Sequence, residues 1–566
     1  MPQGVHVSEH FDVVIVGGGL SGVGAARHLQ VRCPSKRFVI LEARTSIGGT
    51  WDLFRYPGIR SDSDMFTLGY SFKPWTSPKA IADGASIREY IHDAVREGGL
   101  EPHIRLEHRV VSASWSSREA RWTLVIERGP DKKREPLTCG FLYSCTGYYR
   151  YDAGYTPEIA GRERFGGTVV HPQRWREDVS YTGKRIVVIG SGATAVTLVP
   201  ELAKDAAHVV MLQRSPTYMV SMPTEDVLAN TLRRLLPARA AYDLTRWKNV
   251  LTGVGFFQLA RRRPELVKRR LVRMVAEQLG RGYDVATHFT PRYRPWDQRL
   301  CLVTDGDLFS AIREGRASVM TGHIEAFTET GLRLTDGRVI DADVVVTATG
   351  LELLFLGGIE IDVDGTRLEA SRHLSYKGMM LDDVPNLACA FGYTNASWTL
   401  KADLTAEYVC RLLGEMDARG ATRCVPRRRD PKVSEMPFLD FSSGYVQRAL
   451  ARFPKQGNKR PWRLHQNYLL DLLALRFGRV ADGTMELDRP APEAEGVRNA
   501  PATHGATPER GATPERGATP ERGATPERGA TPERGATPER GATPERGATP
   551  ERGATPEHGA SAEPVR

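Results

Sequence analysis

The chain is poor in cysteine: Cys33, Cys139, Cys145, Cys301, Cys389, Cys410 and Cys424 are its only seven in 566 residues, and none forms a C-x-x-C pair. An odd, scattered set fits reduced thiols in a cytoplasmic protein better than a disulfide framework, and the lack of a closely spaced pair disfavours a dithiol redox centre. Long apolar runs are missing too. No stretch of about 18 apolar residues occurs, and the opening Met-Pro-Gln-Gly-Val-His-Val-Ser-Glu-His has no basic region leading into an apolar one. Neither a membrane span nor export is therefore expected. No metal is expected either. What is present, 40% hydrophobic and 8% aromatic residues, suffices for two or three domains with real cores. The net charge of +10 favours anionic ligands or surfaces without choosing among them.

From about Gly505 the hexapeptide Gly-Ala-Thr-Pro-Glu-Arg repeats almost to the C-terminus. A proline and a glycine in every unit stop helix propagation, and no bulky apolar side chain offsets the entropy of ordering, so residues 496–566 are expected to form a disordered tail. Each full repeat carries one Glu and one Arg, which leaves the positive excess to the rest of the chain. There, strand and helix signals alternate. Phe11-Asp12-Val13-Val14-Ile15-Val16 is a short apolar run meeting a glycine turn, and Ser21 to Leu29 reads as a helix. Strand signals recur at Arg185–Ile189, before a second glycine turn, and at Asp343–Thr347. This alternation predicts an α/β fold of parallel sheets covered by helices. Between Glu225 and about Gly282 the strand signals vanish and the text turns helical and basic, which reads as an insertion.

Gly17-Gly18-Gly19-Leu20-Ser21-Gly22 follows the first strand and opens its helix. Bare backbone there lets a pyrophosphate approach, while the helix N-terminus supplies N–H donors and partial positive charge. The next strand, Phe38–Leu41, ends in Glu42. Its carboxylate is placed to accept both hydroxyls of an adenosine ribose and to repel a 2′-phosphate; FAD or NAD fits and NADP does not. The second loop, Gly190-Ser191-Gly192-Ala193-Thr194-Ala195, runs into Val196, and its following strand ends in Gln213-Arg214-Ser215 with no acid. Arg214 is placed to pair with a 2′-phosphate, which favours NADPH there; a solvated surface charge is the alternative. The expected organisation is two Rossmann-like dinucleotide-binding domains. The first occupies 1–160 and 351–495, the second 161–224 and 283–350, with the helical insertion at 225–282.

Two such loops in this order resemble the class B flavoprotein monooxygenases, which hold FAD and NADPH in tandem Rossmann-like domains. Between the loops, Phe165-x-Gly167-x-x-x-His171-x-x-x-Trp175 follows the fingerprint of the Baeyer–Villiger type, with Arg176 where proline or aspartate is usual. The stretch from Gly48 to Asp64 is similar to the flavin-contacting segment of that family, with Ser61 where many members carry cysteine. Pro295–Leu302 and Gly392–Lys401 add further matching blocks, and the wording is very close to that of a mycobacterial member. The likeness runs from about Phe11 to Pro490.

The resemblance implies a site. Arg299 is the fixed cation that stabilises the charge developing on the transferred oxygen, and a guanidinium stays protonated at any working pH. Asp62 occupies the position that contacts this arginine and both cofactors, and it orients Arg299. FAD contacts are implied for Gly17, Gly19, Ser21, Gly22, Glu42, Gly49, Thr50, Trp51, Asp52, Asp62 and Val110; a core tryptophan is the alternative for Trp51. NADP contacts are implied for Arg60, Ser61, Asp62, Gly190, Ser191, Gly192, Ala193, Thr194, Ala195, Val196, Arg214 and Ser215. Phe165, Gly167, His171 and Trp175 fall in the linker between the domains, where His171 transmits domain rotation rather than protons. Cys145-Thr146-Gly147 and Ala348-Thr349-Gly350 resemble the turns where the chain crosses between domains. The implied reaction consumes NADPH and inserts one oxygen atom of O2 next to a ketone carbonyl, with sulfides and thioamides as further substrates.

An S- or N-oxygenating flavin monooxygenase is the nearest alternative. A membrane-surface scaffold with vestigial cofactor sites is a second. Arg261-Arg262-Arg263, Lys268-Arg269-Arg270 and Arg273 flank Val267, Leu271, Met274 and Val275 at helical spacing. Such a pattern either lies on anionic lipid at the inner face of a membrane or packs its apolar stripe inward. Nucleic acid is not an expected partner, because the basic cluster lacks a reading module.

Overall fold

The computed structural model describes residues 9–489. The repeat tail expected at 496–566, and the last residues of the segment expected to end at 495, lie outside them. Strand β1 (Glu9–Val16) carries Val13, Val14 and Ile15 fully buried on both faces, which is the signature of a strand covered on each side. It pairs in parallel with β2 (Phe38–Leu41) and β6 (Lys133–Ser144), and α1 (Leu20–Arg32) connects it to β2. The sheet then changes character. β4 (His108–Ser116), β5 (Arg121–Arg128) and β6 form an antiparallel meander with Trp115 opposite Trp122. With β3 (Ile104–Arg105), β17 (Glu360–Val363) and β18 (Thr366–Arg367), the strand order is β18-β17-β4-β5-β6-β1-β2-β3, and Leu387–Cys389 also joins β6. The expectation of parallel sheets missed this meander. Residues 117–120 and 129–132 are the only connections, too short for a parallel crossover of about a dozen residues.

The second sheet is parallel throughout, in the order β12-β9-β8-β16-β7. Its strands are β7 (Thr168–Val170), β8 (Arg185–Ile189), β9 (His208–Gln213), β12 (Ala317–Thr321) and β16 (Val344–Thr347), and α5 (Ala193–Leu202) follows β8. β10 (Met219–Met222) and β11 (Cys301–Thr304) pair in parallel beside it, and β13 (Ile324–Phe327), β14 (Gly331–Leu334) and β15 (Val339–Asp341) form a small antiparallel sheet. Between Glu225 and Gly282 lie α6 (Val227–Leu235), α7 (Ala238–Arg262) and α8 (Pro264–Leu279). Val267, Leu271 and Val275 of α8 are buried. The apolar stripe singled out for lipid contact is therefore core, because it packs under β10 and β11.

The chain leaves the first sheet after β6 and returns with β17, and its two crossings run side by side. Arg150 N donates to Glu352 O at 2.9 Å, Leu354 N to Tyr148 O at 2.9 Å, and Tyr155 N to Gly350 O at 3.2 Å. Thr349 Oγ1 donates to Tyr155 O at 2.6 Å. Among the described residues no helix is long and apolar enough to cross a membrane.

Candidate active site

The first glycine loop is tight because three backbones meet in it. Gly17 sits at φ +106°, and a Cβ there would stand 2.6 Å from the carbonyl oxygen of Cys145; one at Gly22 would stand 1.9 Å from that of Gly17. Gly19 caps α1 without any side-chain bond to the first turn, which leaves those N–H groups for a ligand. Glu42, 5% exposed, accepts from Gly18 N through Oε2 at 2.7 Å and from Arg44 N through Oε1 at 2.9 Å. Burial pushes its pKa up against those two donors.

A cavity of about 970 Å³ opens from this loop. Of the residues expected at FAD, it is lined by Gly17, Gly19, Ser21, Glu42, Gly49, Thr50, Trp51, Asp62 and Val110. It continues past Arg60, Ser61 and Arg299 to Ala193 and Thr197 of α5. Asp62 faces Arg299 and Arg60. Burial raises its pKa although both guanidiniums pull the other way. Burial likewise opposes the charge on Arg299, but its pKa still lies above the usual guanidinium value, with the Asp62 carboxylate beside it, so it stays a cation. Arg299 Nη2 lies 3.5 Å from Thr394 O. Arg60 is anchored from the far side, Nη1 to Asp307 Oδ2 at 2.7 Å, while its buried Nε has no protein partner.

Sequence reasoning missed an aromatic wall. Tyr148 and Tyr149 share a hydrogen bond of 2.9 Å between hydroxyls, and Trp398 stacks on Tyr148 at 5.0 Å while donating from Nε1 to Ser21 Oγ at 2.7 Å. Desolvation pushes Tyr149 and Tyr445 up to about 12, so both stay neutral. A signal for them existed: three tyrosines in four residues, Tyr148, Tyr149 and Tyr151, directly after the crossing turn at Gly147.

Two residues expected at FAD stand outside the cavity lining. Gly22 serves the packing of helix on strand. Asp52 is buried and turned to three arginines, Arg44 at 2.6 Å, Arg55 at 2.7 Å and Arg88 at 3.7 Å. Its carboxylate ties that cluster together, and so braces the loop after Gly49 rather than lining the cavity.

The second loop also has the expected build. At Gly190, φ is +138° and a Cβ would stand 2.4 Å from Ala348 O, while Gly192 caps α5 without a side-chain bond. Ala193 is the one loop residue that lines the cavity; Gly190, Ser191, Gly192, Thr194, Ala195, Val196, Arg214 and Ser215 do not line it. Ser191 Oγ donates to Ser215 O at 3.2 Å, joining the loop to the end of β9. Arg214 is exposed and has no ion pair among the described residues. The chemistry of this donor set fits two dinucleotides: a buried acid and an uncapped helix at the first loop, a free arginine and an uncapped helix at the second.

Phe165, Gly167, His171 and Trp175 do not line the cavity. Phe165 packs on Phe327 at 5.4 Å and Trp175 stacks on Tyr181 at 4.8 Å. Gly167 leaves no room for a Cβ, which would stand 2.5 Å from Asp343 O. The His171 ring fills the space over Gly154, Nδ1 accepting from Gln173 N at 3.1 Å, with burial lowering its pKa. It therefore sits against the crossing segments.

The description of flavin-binding monooxygenase-like proteins matches residues 77–357, and that of NAD(P)-binding Rossmann-like domains matches residues 15–76. The FAD-containing monooxygenase EthA of Mycobacterium tuberculosis is 54% identical over 488 residues, 86% of this chain and 99% of that protein. This chain belongs to the flavin-binding monooxygenase family. Another relative, the probable FAD-binding monooxygenase AlmA of Acinetobacter baylyi, is 47% identical over 485 residues, 85% of this chain and 97% of that protein. Two solved structures share the fold of this family member. Oxidized steroid monooxygenase bound to NADP has a TM-score of 0.65 at 22% identity, covering 85% of this chain and 100% of that one. The open form of cyclohexanone monooxygenase has a TM-score of 0.66 at 20% identity with the same coverage. The flavoprotein monooxygenase class stands with this membership, as do FAD and NADPH. The scaffold with vestigial sites does not.

Proposed function

We propose that the enzyme inserts one oxygen atom of O2 next to a ketone carbonyl, a Baeyer–Villiger oxidation, with FAD against the first loop and NADPH against the second. The observation that carries this reading is the convergence of Arg60, Asp62 and Arg299 in one cavity that reaches from Gly17 to Ala193. FAD, once reduced by NADPH, supplies the activation of O2. The protein's part is placement and charge. Each Glu42 oxygen accepts one N–H and keeps a lone pair for a ribose hydroxyl. Arg214 takes the 2′-phosphate of NADPH. Asp62, between two guanidiniums, holds Arg299 in register and tempers its charge. Arg299 stabilises the negative charge that grows on the carbonyl oxygen, an effect of about 2.7–4 kcal/mol for one well-placed donor. Neutral Tyr148 and Tyr149 add no competing anion and keep water away. His171, wedged against both crossings, couples the two sheets, and the domain limits given above follow those crossings.

Sulfides and thioamides meet the same oxygen donor in the same cavity. The test is oxygenation of linear, cyclic and aromatic ketones and of thioethers by the FAD-loaded protein with NADPH, scored by product. Ester or lactone is expected. Sulfoxide with no ester would instead assign S-oxygenation, and NADPH consumption without any oxygenated product would overturn the proposal.

A further inference from the structure

We infer that the outer face of the helical insertion docks on an anionic phospholipid bilayer. The inference stands apart from the oxygenation chemistry and rests on an inverted helix. Along α7, Leu244, Trp247 and Leu251 recur at helical spacing and are 53%, 42% and 54% exposed, whereas Thr245 and Arg246 on the opposite side are buried. α6 does the same, with Val227 at 78% and Leu235 at 74%. Lys248 pairs with Asp226, the residue that caps α6, and this fixes the two helices side by side. Single exposed leucines are ordinary, but two adjoining helices with apolar outer faces are not.

Charge chooses the occupant. Between Glu225 and Gly282 stand thirteen Lys and Arg against five Asp and Glu, a net +8 out of +10 for the whole chain. Arg234, Arg262, Arg263, Arg269, Arg270 and Arg273 are exposed and have no ion pair among the described residues. A second copy would bring this positive face against itself, since a two-fold interface is self-complementary. The hexapeptide repeat offers no bulky apolar side chain to cover it. A bilayer with anionic headgroups meets both demands, taking up Trp and Leu at its interface while the arginines reach its phosphates. The same α7 props the cavity from within: Arg246 donates to Phe66 O at 2.7 Å and Asn249 Nδ2 to Asp64 Oδ1 at 2.8 Å, two residues beyond Asp62.

The test is flotation of the full-length, FAD-loaded protein with vesicles of phosphatidylglycerol and phosphatidylcholine, beside vesicles of phosphatidylcholine alone. Binding is expected to the anionic vesicles only, with release near 1 M salt, where the screening length falls to about 3 Å. Leu244→Glu combined with Leu251→Glu should cut the floated fraction about tenfold or more, with flavin absorbance and melting temperature unchanged because both positions are exposed. Three results would overturn the inference: no binding to anionic vesicles, equal binding to neutral ones, or a double variant that floats like the parent. A variant that instead converts a dimer to a monomer in sedimentation would assign the face to a second copy.

Discussion

Arg246 is a buried cation, and its replacement by methionine tests the way α7 is held to the cavity wall. The guanidinium donates to Phe66 O at 2.7 Å and to Gly69 O at 2.8 Å, and it lies 3.6 Å from Asp403. Arg246→Met leaves both carbonyls unpaired, at about 1–3 kcal/mol each for a buried acceptor. It also leaves Asp403 with only His28 at 3.4 Å and the Ser71 N–H at 3.0 Å. Breaking a buried ion pair from one side costs about 3–5 kcal/mol. The 3.6 Å separation argues for the low end, and with the low end for each carbonyl the expected loss is about 5 kcal/mol in all, or roughly 5 °C in apparent melting temperature for a chain of this size. Burial pushes the Asp403 pKa up, but His28, Arg246 and the Ser71 N–H outweigh it and hold the pKa below the usual range. A depressed carboxyl contributes stability above its unfolded value and loses it as pH falls through the folded one. The gap between variant and parent is therefore full at neutral pH and narrows below about pH 4. Arg246→Met with Asp403→Asn should recover part of the loss. Thermal and urea unfolding of the three proteins measure this, and a single variant that melts within about 1 °C of the parent would refute the reasoning.

Three further outcomes follow from the site. Gly22→Ala places a Cβ 1.9 Å from the Gly17 carbonyl oxygen, so the purified variant should lose bound FAD; a full yellow complement would contradict the packing role. Asp62 carries a raised pKa from burial, so its ionisation costs stability as pH rises through that value. Asp62→Asn should then melt higher than the parent at pH 8 and equally below the ordinary Asp range of about 3.9, read by thermal unfolding, with slower flavin reduction by NADPH. Arg214→Ala should raise the KM for NADPH about tenfold or more and leave that for NADH unchanged, since only the former carries the 2′-phosphate.

Local signals in the sequence were reliable where one physical requirement dictated the residue. The tight turns at Gly17 and Gly190 are legible because only glycine tolerates their φ and their backbone neighbours, and the place of Glu42 because it ends a buried strand beside the first loop. The helices at 225–282 are legible from their period. Long-range pairing was not. Nothing near Asp52 in the sequence announces that Arg88 will join Arg44 and Arg55 around it, and Ser21 meets Trp398 only through the fold. The apolar stripe on α8 and the apolar residues of α7 look alike in the sequence. Tertiary packing buries the first and exposes the second, with Arg246 turned inward where periodicity alone predicts apolar side chains. In the β4–β6 meander only the second connection carries a turn dipeptide, Gly129-Pro130; the first, Ser117-Arg118-Glu119-Ala120, has none, so the pair β4–β5 escaped notice.

The central claim is that Arg299 is a permanent cation acting on the reacting oxygen. The direct measurement is Arg299→Ala, followed for ester formed against NADPH consumed in the same reaction. Retained FAD and continued NADPH oxidation are expected, with ester formation down about 100- to 1,000-fold. Ester yield equal to that of the parent protein, per NADPH oxidised, would contradict the account.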